Sequence, residues 1–197
     1  MEIIDCQQLS EQWYEARLGM PTASNFNKIV DTKGNPSKQR TKYMYQLAGE
    51  YITGVPEDTY QNYSMIRGVE MEAEARQFYE MVKGVNVQEV GFVSQMEYGC
   101  SPDGLVSDDG LIQIKCPSLA VHVEYLLDGK TPKSYFQQIQ GEMYVTDRKW
   151  NDFVSYYPGI KPLIHRNKRD EAFISKLDAE LKRFVKELKE TIKKLGE

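Results

Sequence analysis

The stretch SPDGLVSDDGLIQIKCPS, Ser101 to Ser118, decides how the rest of the chain is read. Leu105-Val106 makes one short apolar arm, and Leu111, Ile112 and Ile114 mark another. Asp108-Asp109-Gly110 lies between them, and Asp and Gly tolerate φ > 0 at little cost, so the segment predicts a two-stranded hairpin about a tight turn. On the second strand the pleat points Gln113 and Lys115 to one face and sends Ile112 and Ile114 into the core. The hairpin brings Asp103 beside them. An acid, an amide and a lysine on rigid strands suit a divalent cation and a water nucleophile: oxygen ligands for the hard ion, and an ammonium to steady the attacking oxygen.

Working outward, 197 residues with 41% hydrophobic content fit one α/β domain, residues 1–197, with a full-sized core. Met1 to Gln8 lacks a basic and an apolar signal region, and no apolar run nears the length of a membrane span, which predicts a cytoplasmic protein without membrane contact. Three cysteines, Cys6, Cys100 and Cys116, show no C-x-x-C spacing, so neither a disulfide framework nor a structural zinc site is expected. The net charge of −4 is unevenly spread: residues 57–113 carry 11 acids against 3 bases, and residues 161–197 carry 11 bases against 7 acids. The acidic middle suits metals, and the basic C-terminal part suits a phosphate backbone or a solvated helix face.

The chain on either side alternates helical and strand patterns. Ser10 opens a short helix closed by Gly19, Thr22-Ala23-Ser24 opens another, and Ser37 to Ile52 and Ser64 to Val82 predict two longer ones. Val85 to Ser94 reads as a strand, and Glu97 to Val106 leads into the hairpin. Helices over Ser118 to Leu127 and Pro132 to Val145 follow. Strands at Asp152 to Tyr157 and Leu163 to Arg166 then extend the sheet, and an amphipathic packing helix over Asp170 to Leu195 closes the chain.

Four strings, in one order, resemble the phage lambda-type exonucleases, also called the YqaJ-like viral recombinase family, within the PD-(D/E)XK nuclease superfamily. They are W-x3-R-x-G-x2-T-A-S from Trp13 to Ser24, R-G-x-x-x-E-x-x-A-R from Arg67 to Arg76, Ser-Pro-Asp-Gly with Ile-Gln-Ile-Lys-Cys-Pro in the hairpin, and Y-x2-Q-x-Q at Tyr135, Gln138 and Gln140. The resemblance implies a restriction-endonuclease-like core, a central mixed β-sheet flanked by helices. It implies catalytic roles for Glu72, Asp103, Gln113, Lys115 and Gln138. Two Mg²⁺ ions, replaceable by Mn²⁺, would be held by Glu72, Asp103, Gln113 and the main-chain carbonyl of Ile114. Arg17, Ser24 and Ser101 would hold a terminal 5′-phosphate, Gln140 would join the DNA-binding set, and Met65 would take the place of an apolar wedge that splits the strands. Relatives that hold an iron–sulfur cluster need four cysteines, which this chain does not have.

The function so implied is 5′-to-3′ digestion of double-stranded DNA from 5′-phosphorylated ends for phage-type homologous recombination, by a homotrimeric ring working with a single-strand annealing protein. One departure stands out: the family carries Glu where this chain has Gln113, either an introduced change or a natural variant. An amide oxygen coordinates Mg²⁺ but brings no charge, and a formal unit charge at metal-contact distance is worth several kcal/mol even at an effective dielectric of about 20. Weaker metal binding and slower cleavage are therefore expected. Three alternatives stay open: a structure-specific or restriction-type endonuclease of the same fold, a catalytically dead DNA-end-binding protein, and a protein-interaction domain.

Overall fold

The computed structural model describes residues 1–57 and 63–196, with the backbone alone at 63–67 and 69. Strand β1 (Glu2–Ile4) is followed by helix α1 (Glu11–Arg17), whose N-cap Ser10 accepts the Trp13 amide on Oγ at 3.3 Å. A 3-10 turn at Ala23–Asn25 leads into the one-turn helix α2 (Phe26–Ile29), and then come α3 (Arg40–Thr53) and the long α4 (Tyr63–Lys83). Four short strands, β2 (Val87–Gln88), β3 (Phe92–Gln95), β4 (Tyr98–Cys100) and β5 (Gly104–Val106), precede β6 (Gly110–Lys115). Helices α5 (Leu119–Asp128) and α6 (Phe136–Thr146) carry the chain over to β7 (Trp150–Ser155), and β8 (Leu163–Lys168) and α7 (Glu171–Gly196) complete it.

The strands form two sheets. One has the order β1-β3-β4, and the other the order β2-β5-β6-β7-β8. Within the larger sheet β6 and β7 run parallel, in register from Gly110 opposite Trp150 to Lys115 opposite Ser155, while the remaining pairs are antiparallel. A parallel pair needs a long connection, which here contains α5 and α6. The result is the expected mixed sheet flanked by helices.

β6 is buried on both faces. Ile112, Ile114, Val106 and Val154 pack with Ala75 and Tyr79 of α4 on one side. Leu105, Leu111 and Phe153 meet Ile139 and Met143 of α6 on the other, in a core that continues through Phe173, Leu177, Leu181 and Phe184 of α7. Gln113 shares a face with Leu111, so its amide is directed at α6, and only 1% of it is exposed. α6 can approach closely because position 141 is glycine: a Cβ there would press on the Phe26 ring and on Ala23.

Three expectations are corrected. Val85 to Ser94 is two strands, β2 and β3, in different sheets. The break falls at Gly91, which lies so close to the Cys6 backbone that no Cβ would fit, and only glycine allows the chain to cross there. In the hairpin the left-handed residue is Ser107, with φ 50°, and Gly110 is already in β6, opposite Val106. The helix expected from Ser37 begins at Arg40, because Ser37 donates its amide to Ile29 O at 2.8 Å and forms a turn first.

Candidate active site

Beyond the carboxyl end of β6 lies a cleft of about 980 Å³, lined by Arg17, Ser24, Glu72, Ser101, Asp103, Gln113, Ile114, Lys115, Gln138 and Glu142 among others. The hairpin brings Asp103 to the strand as the spacing requires. Its Oδ2 accepts the Ile114 amide at 2.6 Å and also the Nε2 of Gln113. Both bonds fall on one oxygen, which leaves Oδ1 for the cleft. Burial pushes the Asp103 carboxyl up, while Lys115, the Ile114 amide and Arg76 pull it back down. Lys115 is half-buried, its Nζ is 5.6 Å from the Tyr135 ring centroid, and among the described residues it forms no ion pair.

Glu72 comes from α4, on the far side of the sheet, and shares the cleft with Asp103. Burial, and then the nearby Asp103, push its carboxyl up to about 7. Arg76, one helical turn on, donates Nη2 to Glu72 Oε1 at 2.8 Å and pairs through Nη1 with Glu89 at 2.6 Å, so it holds Glu72 in place.

α6 supplies the third wall. Gln138 Nε2 donates to Gln113 Oε1 and to Glu142 Oε1, both at 2.8 Å. The second Glu142 oxygen accepts Asn151 Nδ2 at 3.0 Å. Glu142 is 1% exposed, and burial followed by Asp103 pushes its carboxyl up to about 8. A chain of hydrogen bonds thus runs from β7 through α6 to β6: Asn151, Glu142, Gln138, Gln113, Asp103.

At the other end of the cleft Arg17 stacks on Trp13, its guanidinium carbon 3.9 Å from the ring centroid. Its Nη1 donates to Ser101 Oγ at 3.1 Å and its Nη2 to Thr22 Oγ1 at 3.5 Å, and Thr22 Oγ1 is 3.3 Å from Ser24 Oγ. Trp13 Nε1 also reaches Ser101 Oγ, at 2.9 Å. Burial opposes the charge on Arg17, and among the described residues no carboxylate pairs with it. A guanidinium in that position, flanked by hydroxyls, is a site for an anion.

One residue of the expected set is not in the cleft, and the side chain of another is not among those described. Gln140 turns away from it: its Nε2 donates to Lys168 O at 2.9 Å and its Oε1 accepts the Asp170 amide at 2.8 Å, so the whole amide fastens α6 to the β8–α7 connection. This corrects its assignment to DNA binding. The Met65 side chain lies outside the described residues. Reading the sequence missed Thr22, Arg76, Glu142 and Asn151. The spacing of Arg76 to Glu72 and of Glu142 to Gln138, four residues on a helix in each case, was the available signal.

Among the described residues no three Asp, Glu, His or Cys side chains converge as a metal-holding set. Of the four expected ligands two are carboxylates, Glu72 and Asp103, the third is an amide, Gln113, and the fourth is the main chain of Ile114 beside it; all line the cleft. Hard oxygen donors of this kind fit Mg²⁺ or Mn²⁺, with less charge than three carboxylates would bring.

The model of the YqaJ-like viral recombinase domain matches residues 12–149. The alkaline exonuclease LHK-Exo from Laribacter hongkongensis is 37% identical, and superposes with a TM-score of 0.86 over 95% of this chain and 96% of its own. LHK-Exo in complex with dAMP superposes at 0.85, again at 37% identity, over 94% of this chain and 96% of its own. A phage-related exonuclease from Haemophilus somnus 129PT, 18% identical, shares the fold with a TM-score of 0.72 over 89% of this chain and 96% of its own. No curated protein sequence matches the chain.

Proposed function

The chain belongs to the YqaJ-like viral recombinase family, and from that premise we propose that it is a divalent-metal-dependent deoxyribonuclease digesting duplex DNA 5′ to 3′ from 5′-phosphorylated ends. The observation that carries this reading is the sharing of one cleft by the Glu72, Asp103, Gln113, Lys115 and Gln138 group and by the guanidinium of Arg17, unpaired with any carboxylate among the described residues, with its hydroxyls. The first group suits hydrolysis, and the second suits a terminal phosphate. The complex of LHK-Exo with dAMP supports a deoxynucleoside monophosphate as the released product.

Glu72, Asp103, Gln113 and the Ile114 carbonyl would hold two Mg²⁺ ions, or Mn²⁺ in their place. When bound, the cations supply positive charge against the phosphate and make water easier to deprotonate. Lys115, which forms no ion pair among the described residues, orients the attacking water and steadies the charge on its oxygen as the proton leaves to solvent. Gln138, whose amide hydrogens are held by Gln113 and Glu142, keeps its carbonyl oxygen to accept from a water at the scissile phosphate. Arg17, Ser24 and Ser101 grip the 5′-phosphate, so the bond that enters the reacting position is the one a fixed step from the end. In this reading Met65 divides the strands, and the chain works as a homotrimer in the cytoplasm with a single-strand annealing partner in recombination. No helix among the described residues is long and apolar enough to cross a membrane.

One observation favours a second reading. Gln113 presents its nitrogen, not its oxygen, to Asp103, and a site that keeps that orientation binds DNA ends without cutting them. Linear duplex with a 5′-phosphate, linear duplex with a 5′-hydroxyl and a closed circle, each with Mg²⁺, Mn²⁺ or EDTA, separate the possibilities. The exonuclease consumes the first, is slower on the second and spares the circle. Cutting of the circle would indicate an endonuclease, and end binding without product at any metal concentration would indicate the inactive form.

A further inference from the structure

Gln113 leaves the cleft one carboxylate short of the family pattern, and a carboxylate stands immediately behind it on another element. We infer that Glu142 is a positioning residue that makes good this charge: linked to Gln113 through the amide of Gln138, it provides from α6 the anion that β6 lacks. The inference rests on the metal-dependent reading above and adds to it a residue that is no ligand itself.

Three observations carry it. Glu142 is 1% exposed and, among the described residues, forms no ion pair; its oxygens accept from two neutral amides, Gln138 at 2.8 Å and Asn151 at 3.0 Å. A carboxylate shut away from water without a cation is costly, and a strut between helix and sheet would be served by a neutral amide. A cation in the cleft removes that cost and gains from the charge. Next, Asn151 is wholly buried and turns its nitrogen to Glu142 although its own Oδ1 is left without a partner among the described residues. The sheet thus gives up a hydrogen bond to hold this carboxylate in one orientation. Finally, both hydrogens of the Gln138 amide are engaged, one on Glu142 and one on Gln113. Ionised, as a cation in the cleft would make it, the Glu142 carboxylate only accepts, so it fixes which end of Gln138 faces Gln113, and with it the direction of the chain that ends on Asp103.

Isothermal titration with MnCl₂, without DNA, tests this on the unaltered chain and on Glu142→Gln, Gln113→Glu and the double variant. The unaltered chain binds Mn²⁺, Glu142→Gln binds about tenfold or more weakly, and Gln113→Glu binds more tightly than the unaltered chain. In the double variant, where the charge has moved back to β6, affinity returns to within about threefold of the unaltered chain. A purely structural role gives no such rescue. Thermal unfolding in EDTA checks that each variant is folded, and Glu142→Ser removes the same charge should Glu142→Gln not fold. Undiminished Mn²⁺ binding by Glu142→Gln, or a double variant as weak as Glu142→Gln alone, overturns the role given to Glu142 and leaves the metal reading standing. No Mn²⁺ binding by the unaltered chain overturns both.

Discussion

At position 113 the amide has both ends assigned by its neighbours: Nε2 goes to Asp103 and Oε1 accepts from Gln138. A glutamate in its place would present two acceptors, one to Gln138 and one to a cation. Gln113→Glu should therefore raise the rate of Mg²⁺-dependent digestion by about tenfold or more at limiting metal, measured as nucleotide release from 5′-phosphorylated duplex. Lys115→Ala and Arg17→Ala should part company. The first lowers kcat by about 100-fold or more with end binding retained. The second mainly raises KM for phosphorylated ends and removes the preference for phosphate over hydroxyl. At this scale the sequence was readable where residues lie within one strand or hairpin, as Asp103, Gln113 and Lys115 do, and the fold brings those three to one cleft. It was silent on Glu142 with Asn151 and on Arg17 with Thr22, because those roles follow from burial and from partners that only tertiary packing supplies.

Among the elements, the helices with long apolar periodicity were legible almost to their ends, since one stripe of α7 has to cover the sheet and its spacing shows it. The stretch before the hairpin was not: β2 and β3 are short, with one valine apiece, and nothing local tells which sheet each joins. Gln140 was misjudged for a related reason, because a helix position two residues from Gln138 faces elsewhere, here the β8–α7 connection. The position of α6 depends on Gly141. Gly141→Ala should push the helix off Phe26, cost about 1–3 kcal/mol in urea unfolding, and lower activity as well, since the same helix carries Gln138 and Glu142.

For the whole molecule, the buried acids make stability without metal depend on pH. Glu72 is pushed up to about 7 and Glu142 to about 8 by burial and by Asp103. In the unfolded chain both titrate near the ordinary value of about 4.3, so between there and their folded values the native state retains protons that the unfolded state has lost. Stability should accordingly fall as pH rises from about 5 to 8, by at most about 1.4 kcal/mol per pH unit for each group. Urea unfolding in EDTA across that range checks the sign, and Glu142→Gln should flatten the upper part of the slope.

The parallel pairing of β6 with β7 also bears on how the protein comes into being. Asp103, Gln113 and Lys115 leave the ribosome well before Trp150 does, so for that interval the strand that carries the proposed catalytic residues lacks its neighbour. A nascent chain halted there would display the apolar run Leu111, Ile112 and Ile114 on an open edge, with neither α6 nor β7 to cover it. Biosynthesis thus passes through an adhesive stage while the candidate site is half built, and the partner strand is complete only once Ser155 has been added.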